Sequence, residues 1–394
     1  ASDVYKRQQL PHGRSEDMGE SETMKTEKEY EYWLASLHGI SSAKKRLLKE
    51  IFHSARAVFN IEETARTSCW FLTETEKETL KAQQKETILD DKCRAWERAR
   101  KQGICLTCWG DLDYPEKLIG IAKPPYAFFG TGTDCFSFSK VTAAIVGARD
   151  ATAYGRQMAY EFGRELAKAG MEIVSGMARG IDAKGLEGAF AAGGRHCAVL
   201  GCGVDLCYPK ENRMLYQKLQ RKGALLSEYV PGTPPLAGNF PPRNRIISAL
   251  SDVVLVMEAR KRSGSLITAD FALEQGIDVY ALPGPVTSLL SQGCHQLIRQ
   301  GAGILISPEE FLSDLPYKLQ KLLIKFSEKS NENEIMLESP EKLLYSVLSL
   351  EPKNIQKIEE ELSLTRGEIM EGLLNLEMNG WIQEVSKNDY IRLK

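Results

Sequence analysis

The sequence predicts an α/β protein centred on a doubly wound parallel sheet, with a small helical domain before it and a winged helix after it. Three observations carry this reading. Apolar runs of strand length alternate with amphipathic runs of helix length through the middle of the chain. Those runs are nearly continuous in Val, Ile, Leu and Ala, as strands covered on both faces must be. On either side the apolar spacing is helical, and the last residues add a hairpin signal.

Composition sets the limits. The 394 residues carry 51 Lys+Arg against 53 Asp+Glu, a formal net charge of -2, with 43% hydrophobic and 26% charged residues. This is ordinary soluble globular composition, and about 150 residues per domain gives two or three domains. No uncharged apolar run approaches the roughly 20 residues of a membrane helix, so no membrane role is expected. The near-neutral total excludes a basic coat, and any polyanion must be held by a local patch. No secretory pattern opens the chain, so the nine cysteines are expected as reduced thiols in the cytoplasm. The one close pair, Cys105 and Cys108, lacks a second C-x-x-C to complete a tetrahedral zinc site, and no metal is expected. Cys197, Cys202 and Cys207 read as small buried hydrophobes.

The elements follow in order. Residues 1–27 are polar and aperiodic and read as a disordered or non-native tail, with Met18 or Met24 as candidate starts. Residues 28–100 read as a helical domain and its connector. Trp33, Leu34 and Leu37 lead to Gly39, and Leu47, Leu48, Ile51, Ala55 and Val58 recur at helical spacing, a helix-hairpin-helix or SAM-like pattern that serves either DNA phosphate or protein docking. The stretch Glu74 to Arg100 reads as a charged helical connector. Residues 101–310 form the sheet domain, with strands expected at 142–146, 171–175, 195–200, 224–227, 252–258, 277–282 and 303–306. Residues 311–335 read as a linker. Residues 336–394 give three helices, with Thr365 and Glu368 spaced as a capping box, then an Asn379-Gly380 turn signal followed by two strands, 381–385 and 390–393.

In a parallel sheet, ligands bind beyond the carboxyl ends of the strands, where loops open helices. The first such loop holds Gly147 and Arg149, and the second Ser175, Gly176, Arg179 and Gly180. Glycine lets backbone amides approach an anion, the helix N-terminus adds a favourable dipole, and arginine forks onto phosphate. A tight turn with surface arginines is the plainer alternative. The third loop offers Tyr208, Lys210 and Asn212, an aromatic beside a cation that suits base stacking and backbone pairing, or simple packing. Phe240-Pro241-Pro242 then leads to Arg243, Asn244 and Arg245. At i, i+2 the two arginines straddle the helix start, one free for phosphate and the other bracing. Arg260, Lys261 and Arg262 precede Ser263, Gly264, Ser265 and Thr268 at a further helix start. Together these loops indicate one polyanion site on one sheet edge.

Enzymatic signatures are missing. No third glycine completes a G-x-G-x-x-G fingerprint, no P-loop occurs, and no G-x-S-x-G or H-E-x-x-H is present. His196 lies within a strand and reads as packed, and Asp182 serves equally as base or helix cap. No catalytic residue and no cofactor are therefore expected.

The ordered blocks resemble the DprA/Smf family of bacterial DNA-processing proteins. They are Tyr114-Pro115 with Pro124-Pro125, Ile145 to Arg149, Ser175 to Asp182, Tyr208-Pro209 with Asn212, Phe240 to Arg245, Ser263 to Ala269, Leu282-Pro283-Gly284 and Gly301-Ala302. The resemblance implies an extended Rossmann-like core. It also implies a homodimer that binds single-stranded DNA, loads the recombinase RecA during natural transformation, and displaces single-strand-binding protein. By motif it places Arg149, Lys210 and the Arg243/Arg245 pair on DNA phosphate, with Gly176 and Gly180 shaping the pocket. Two departures stand out: Cys294-His295, where the family has Thr-Asn, and Lys184-Gly185, where it has a small residue and His. Two rival readings are a Rossmann-like enzyme acting on nucleotides or nucleoside phosphates, and a winged-helix regulator of duplex DNA.

Within residues 141–310, 18 Lys/Arg stand against 16 Asp/Glu, only +2 (18 − 16). The positive charge that matters is therefore arranged rather than abundant.

Overall fold

The architecture comes from a computed structural model, which describes residues 25–323, 340–348, 353–362, 364–378, 382–386 and 388–392. The chain divides into two compact units, residues 1–327 and 328–394.

The first unit opens with six helices: α1 (Glu27–Ser36), α2 (Ser42–Phe52), α3 (Ala55–Phe59), α4 (Glu63–Thr67), α5 (Glu74–Gln83) and α6 (Glu86–Lys101). Serine hydroxyls cap two of them: Ser41 accepts from the Lys44 amide and Ser54 from the Ala57 amide. The helical stretch expected at 74–100 forms α5 and α6, which pack into the domain core as well as connecting it to the sheet. Their exteriors are charged, but Leu80, Leu89 and Trp96 are buried in one core with Trp33, Leu34 and Leu48. That core continues into Leu106, Cys108, Tyr126 and Phe129, so the helical region rests directly on the end of the sheet.

The sheet has nine strands: β1 (Cys105–Cys108), β2 (Ala127–Gly132), β3 (Thr142–Val146), β4 (Glu172–Ser175), β5 (His196–Val199), β6 (Ala224–Ser227), β7 (Val253–Val256), β8 (Asp278–Ala281) and β9 (Gly303–Ile304). Their order is β1-β2-β6-β5-β4-β3-β7-β8-β9. All pairings from β6 to β9 are parallel, whereas β2 pairs antiparallel with both β1 and β6. The two antiparallel strands were not expected; they make the sheet mixed and dock the helical region.

The strands alternate between two covered faces, which is why their sequences are apolar throughout. Ala143, Ile145, Val253 and Leu255 point to one face, covered by α7 (Ala153–Lys168), α8 (Ile181–Ala191) and α9 (Arg213–Lys222). Ala144, Val146, Val254 and Val256 point to the other, covered by α10 (Phe240–Ala249), α11 (Gly264–Glu274) and α12 (Gln292–Arg299). The expected linker begins as core: α13 (Pro308–Asp314) buries Phe311, and Leu315 and Leu323 join the same cluster. Residues 324–335 of that linker, and residues 1–24 of the expected tail, lie outside the described residues. Among the described residues no helix is long and apolar enough to cross a membrane.

The second unit has helices at Pro340–Val347, Ile355–Glu361 and Arg366–Met378, and an antiparallel sheet in which Asp389–Arg392 lies between Lys353–Asn354 and Ile382–Ser386. Leu344, Ile358, Ile369, Leu373, Ile382 and Tyr390 form its core. The expected capping box is present: the Thr365 amide and hydroxyl donate to Glu368 at 2.8 and 2.7 Å. The expected Asn379-Gly380 turn lies outside the described residues.

Candidate nucleic-acid interface

At the carboxyl edge of β3–β7, two adjoining clefts of about 440 and about 500 Å³ share Arg149, Ala178, Tyr208, Phe240 and Arg243. The smaller adds Gly176, Arg179 and Lys210; the larger adds Gly147, Asn244, Ser263, Gly264, Ser265 and Thr268. Five separate loops are thus brought to one place by the topology of the sheet.

The rim is cationic and aromatic. Arg149, Lys210 and Arg262 are exposed, and Arg179 is half-exposed, with a 3.8 Å ion pair to exposed Asp150 that water screens heavily. Tyr208, 38% exposed, lies with its ring 5.4 Å from that of Phe240 at 34°. The Arg149 and Arg243 guanidinium groups sit 5.7 and 5.8 Å from the Phe240 ring. This aromatic floor under cations was only partly legible: Phe240 precedes the Pro-Pro pair, and nothing in the sequence marks it as the centre.

The floor is rigid. Arg243 is 5% exposed and donates from Nη1 to the Gly176 carbonyl at 3.1 Å and to the Val199 carbonyl, tying the ends of β4 and β5 to α10. Burial pulls its guanidinium down to about 10, opposed by the charge of Asp182. Asp182 is itself buried, and burial pushes its carboxyl up against the opposing pull of Arg243 and of amide hydrogen bonds from Ala178, Gly176 and Gly147. Those amides were expected to face a phosphate. The chain's own carboxylate takes hydrogen bonds from them, and the open positive groups are side chains.

Four of the expected site residues are engaged by the scaffold in the structure. Arg245 is absent from the cleft lining and forks onto Glu228 with two 2.7 Å bonds while donating to the Lys123 carbonyl, the bracing half of the expected division between the two arginines. Ser175 is fully buried, its hydroxyl donating to the Ile145 carbonyl. Asn212 donates to the Met177 carbonyl at 2.8 Å and steadies a buried residue with φ of 56°, a strained conformation that the sequence did not reveal. Gly180 has φ of 76°, and a Cβ there would lie 2.4 Å from the Ala148 and Arg149 carbonyl oxygens; it shapes the loop from behind. Asn244 lines the cleft and also links α10 to α11, accepting from Arg243 Nε at 3.2 Å and donating to the Gly264 carbonyl at 3.1 Å. At the Cys294-His295 departure, buried Cys294 donates to the Val256 and Met257 carbonyls at the end of β7, and a His295 ring nitrogen bonds the Gly284 carbonyl.

Among the described residues, the one group of three that could hold a metal ion is Glu31, Cys108 and Asp111. Lys28 and Lys49 already pair with both carboxylates, and burial keeps the Cys108 thiol protonated, so the cluster is an ion-pair network.

Fold and site together define a Rossmann-like α/β protein with a cationic, aromatic-floored cleft at its strand ends. Residues 105–316 match the family model of DNA recombination-mediator protein A. Protein Smf of Escherichia coli is 40% identical over 286 residues, 71% of this chain and 75% of that protein. The DNA processing protein DprA of Streptococcus pneumoniae is 41% identical over 205 residues, 52% of this chain and 72% of that one. The X-ray structure of the Streptococcus pneumoniae protein superposes with a TM-score of 0.57 at 31% identity, covering 73% of this chain and 98% of that one. The chain belongs to the DNA recombination-mediator protein A family, the DprA/Smf proteins.

Proposed function

We propose that the cleft binds single-stranded DNA and that the protein is a non-catalytic mediator of recombination. The observation that carries this reading is the exposed Tyr208 beside Phe240, ringed by Arg149, Arg179 and Lys210. Stacking platforms with flanking cations hold unpaired bases and their phosphates without reading a sequence. A duplex hides its base faces and leaves such a floor unused. Weakened oligonucleotide binding by Arg149→Glu, with unchanged unfolding, tests the assignment; unchanged binding removes the cleft from it.

Family membership extends the proposal to a cytoplasmic homodimer that loads RecA onto strands taken up in natural transformation and displaces single-strand-binding protein. We read the C-terminal unit as a winged helix. Its helix Arg366–Met378 exposes Met370, Leu374 and Met378, with Glu368 and Glu371 beside them, which suits protein contact better than a duplex backbone. One observation favours a catalytic alternative: Asp182, buried at the cleft with its carboxyl pushed up, has the profile of an acid–base group. Release of free base from a nucleoside monophosphate by the pure protein, lost in Asp182→Asn, would establish that alternative.

A further inference from the structure

The sequence suggests Cys105 and Cys108 as a pair, but the fold separates them. In a strand, residues three apart point to opposite faces. Leu106 and Cys108 join the core shared with the helical region, so Cys105 faces the other side of β1. There the antiparallel register sets Cys105 directly across from Gly130 of β2. Opposed side chains of such a pair have Cβ atoms about 5 Å apart. Gly130 has no Cβ, and the space is filled by the next loop: Cys135 Sγ lies 2.5 Å from where that Cβ would be. The Cys135 thiol therefore takes the position of a cross-strand partner to Cys105, and the two side chains interact. Cys105 is exposed and Cys135 is 6% exposed.

We propose that Cys105 and Cys135 form a reversible disulfide by exchange with a small-molecule disulfide of the glutathione type. The Cys105 thiolate attacks one sulfur of the small disulfide, forming a mixed disulfide and releasing one small thiolate. The Cys135 sulfur then attacks Cys105 Sγ, expelling the second small thiolate, which takes up the Cys135 proton. Two protein thiols are oxidised, one small disulfide is reduced to two thiols, and atoms and electrons balance. Exposure assigns the first attack to Cys105. Burial and the adjacent Cys105 push the Cys135 thiol up to about 12, so Cys135 does not compete for the first attack and reacts second, where its position beside Cys105 Sγ favours ring closure. The bond would staple β1, the strand on which the helical region rests, to the loop after β2.

The test uses the 394-residue chain incubated with oxidised glutathione, alkylated, and digested without reductant. The expected products are a Cys105–Cys135 cross-linked peptide pair, alkylated Cys108, and a Tm raised by a few degrees. Glutathione retained on Cys105 beside an alkylated Cys135, or a Cys105–Cys108 linkage, overturns the proposal. Cys105→Ser lies at an exposed position that leaves the fold intact, and it should abolish both the cross-link and the rise in Tm. A rise that persists in this variant also overturns it.

Discussion

Asp182 and Arg243 meet across Gly176: a Cβ on this glycine would lie 2.8 Å from Asp182 Oδ2 and 2.8 Å from Arg243 Nη2. Both side chains are buried and hydrogen-bonded to strand ends or loop amides, so neither can swing aside. The absence of a side chain at Gly176 is what lets a buried acid and a buried base share the cleft floor. Gly176→Ala should cost about 1–3 kcal/mol by overpacking. Chemical denaturation reads the loss, and an unchanged midpoint would show that the floor is loose.

Arg245 and Arg149 should separate by phenotype. Arg245→Ala strands the Glu228 carboxylate, whose side chain is 11% exposed, and should destabilise by about 3 kcal/mol, the lower end for breaking a buried pair. Arg149→Ala, at an exposed position, should stay within about 0.5 kcal/mol of the parent while weakening strand binding. Denaturation and fluorescence anisotropy on the same samples make the comparison.

Tyr208→Ala should weaken single-strand binding by about 1–3 kcal/mol for the stacked base, to a similar degree for thymine-rich and adenine-rich oligonucleotides. A loss confined to one sequence would mean that the aromatic floor reads bases.

Lys45 gives a pH dependence away from the cleft. It is 7% exposed, donates to the Ala35 carbonyl at 2.7 Å, and burial lowers its ammonium from 10.5 to about 7. Its folded value lies below its unfolded one, so between about 7 and 10.5 the unfolded chain holds the extra proton and stability rises with pH. The contribution is complete above 10.5 and is lost as pH falls through about 7. Lys45→Met should flatten this slope in thermal unfolding from pH 7 to 10; a slope of equal steepness in the variant rules out Lys45 as its source.

The parallel strands were legible because strands buried on both faces must be apolar throughout, and Thr142–Val146 and Ala224–Ser227 occur as read. Strands β1 and β2 were not, because Pro124-Pro125, Gly130 and Gly132 break the local pattern and their pairing is settled by the helices beneath them. The helical character of α5 and α6 was legible, but their place in the core hid behind charge, since only a thin stripe of each is buried. Most of the cleft was legible as a set of strand-end loops, because chain order places each loop on one sheet edge. The role of each residue was not. Arg243 and Arg245 are two positions apart in one motif, and only the tertiary fold sends one to the strand ends and the other to Glu228. Likewise Asp182 reads as a helix cap, while its bonds to the loop amides require the folded loops.

The most direct test of the cleft's role is a titration of the 394-residue protein with a single-stranded oligonucleotide and with its duplex, each at two salt concentrations. The single strand should bind more tightly, with log K falling against log salt by about 0.7 for each phosphate neutralised. Equal affinity at both salt concentrations, or a preference for the duplex, would contradict it.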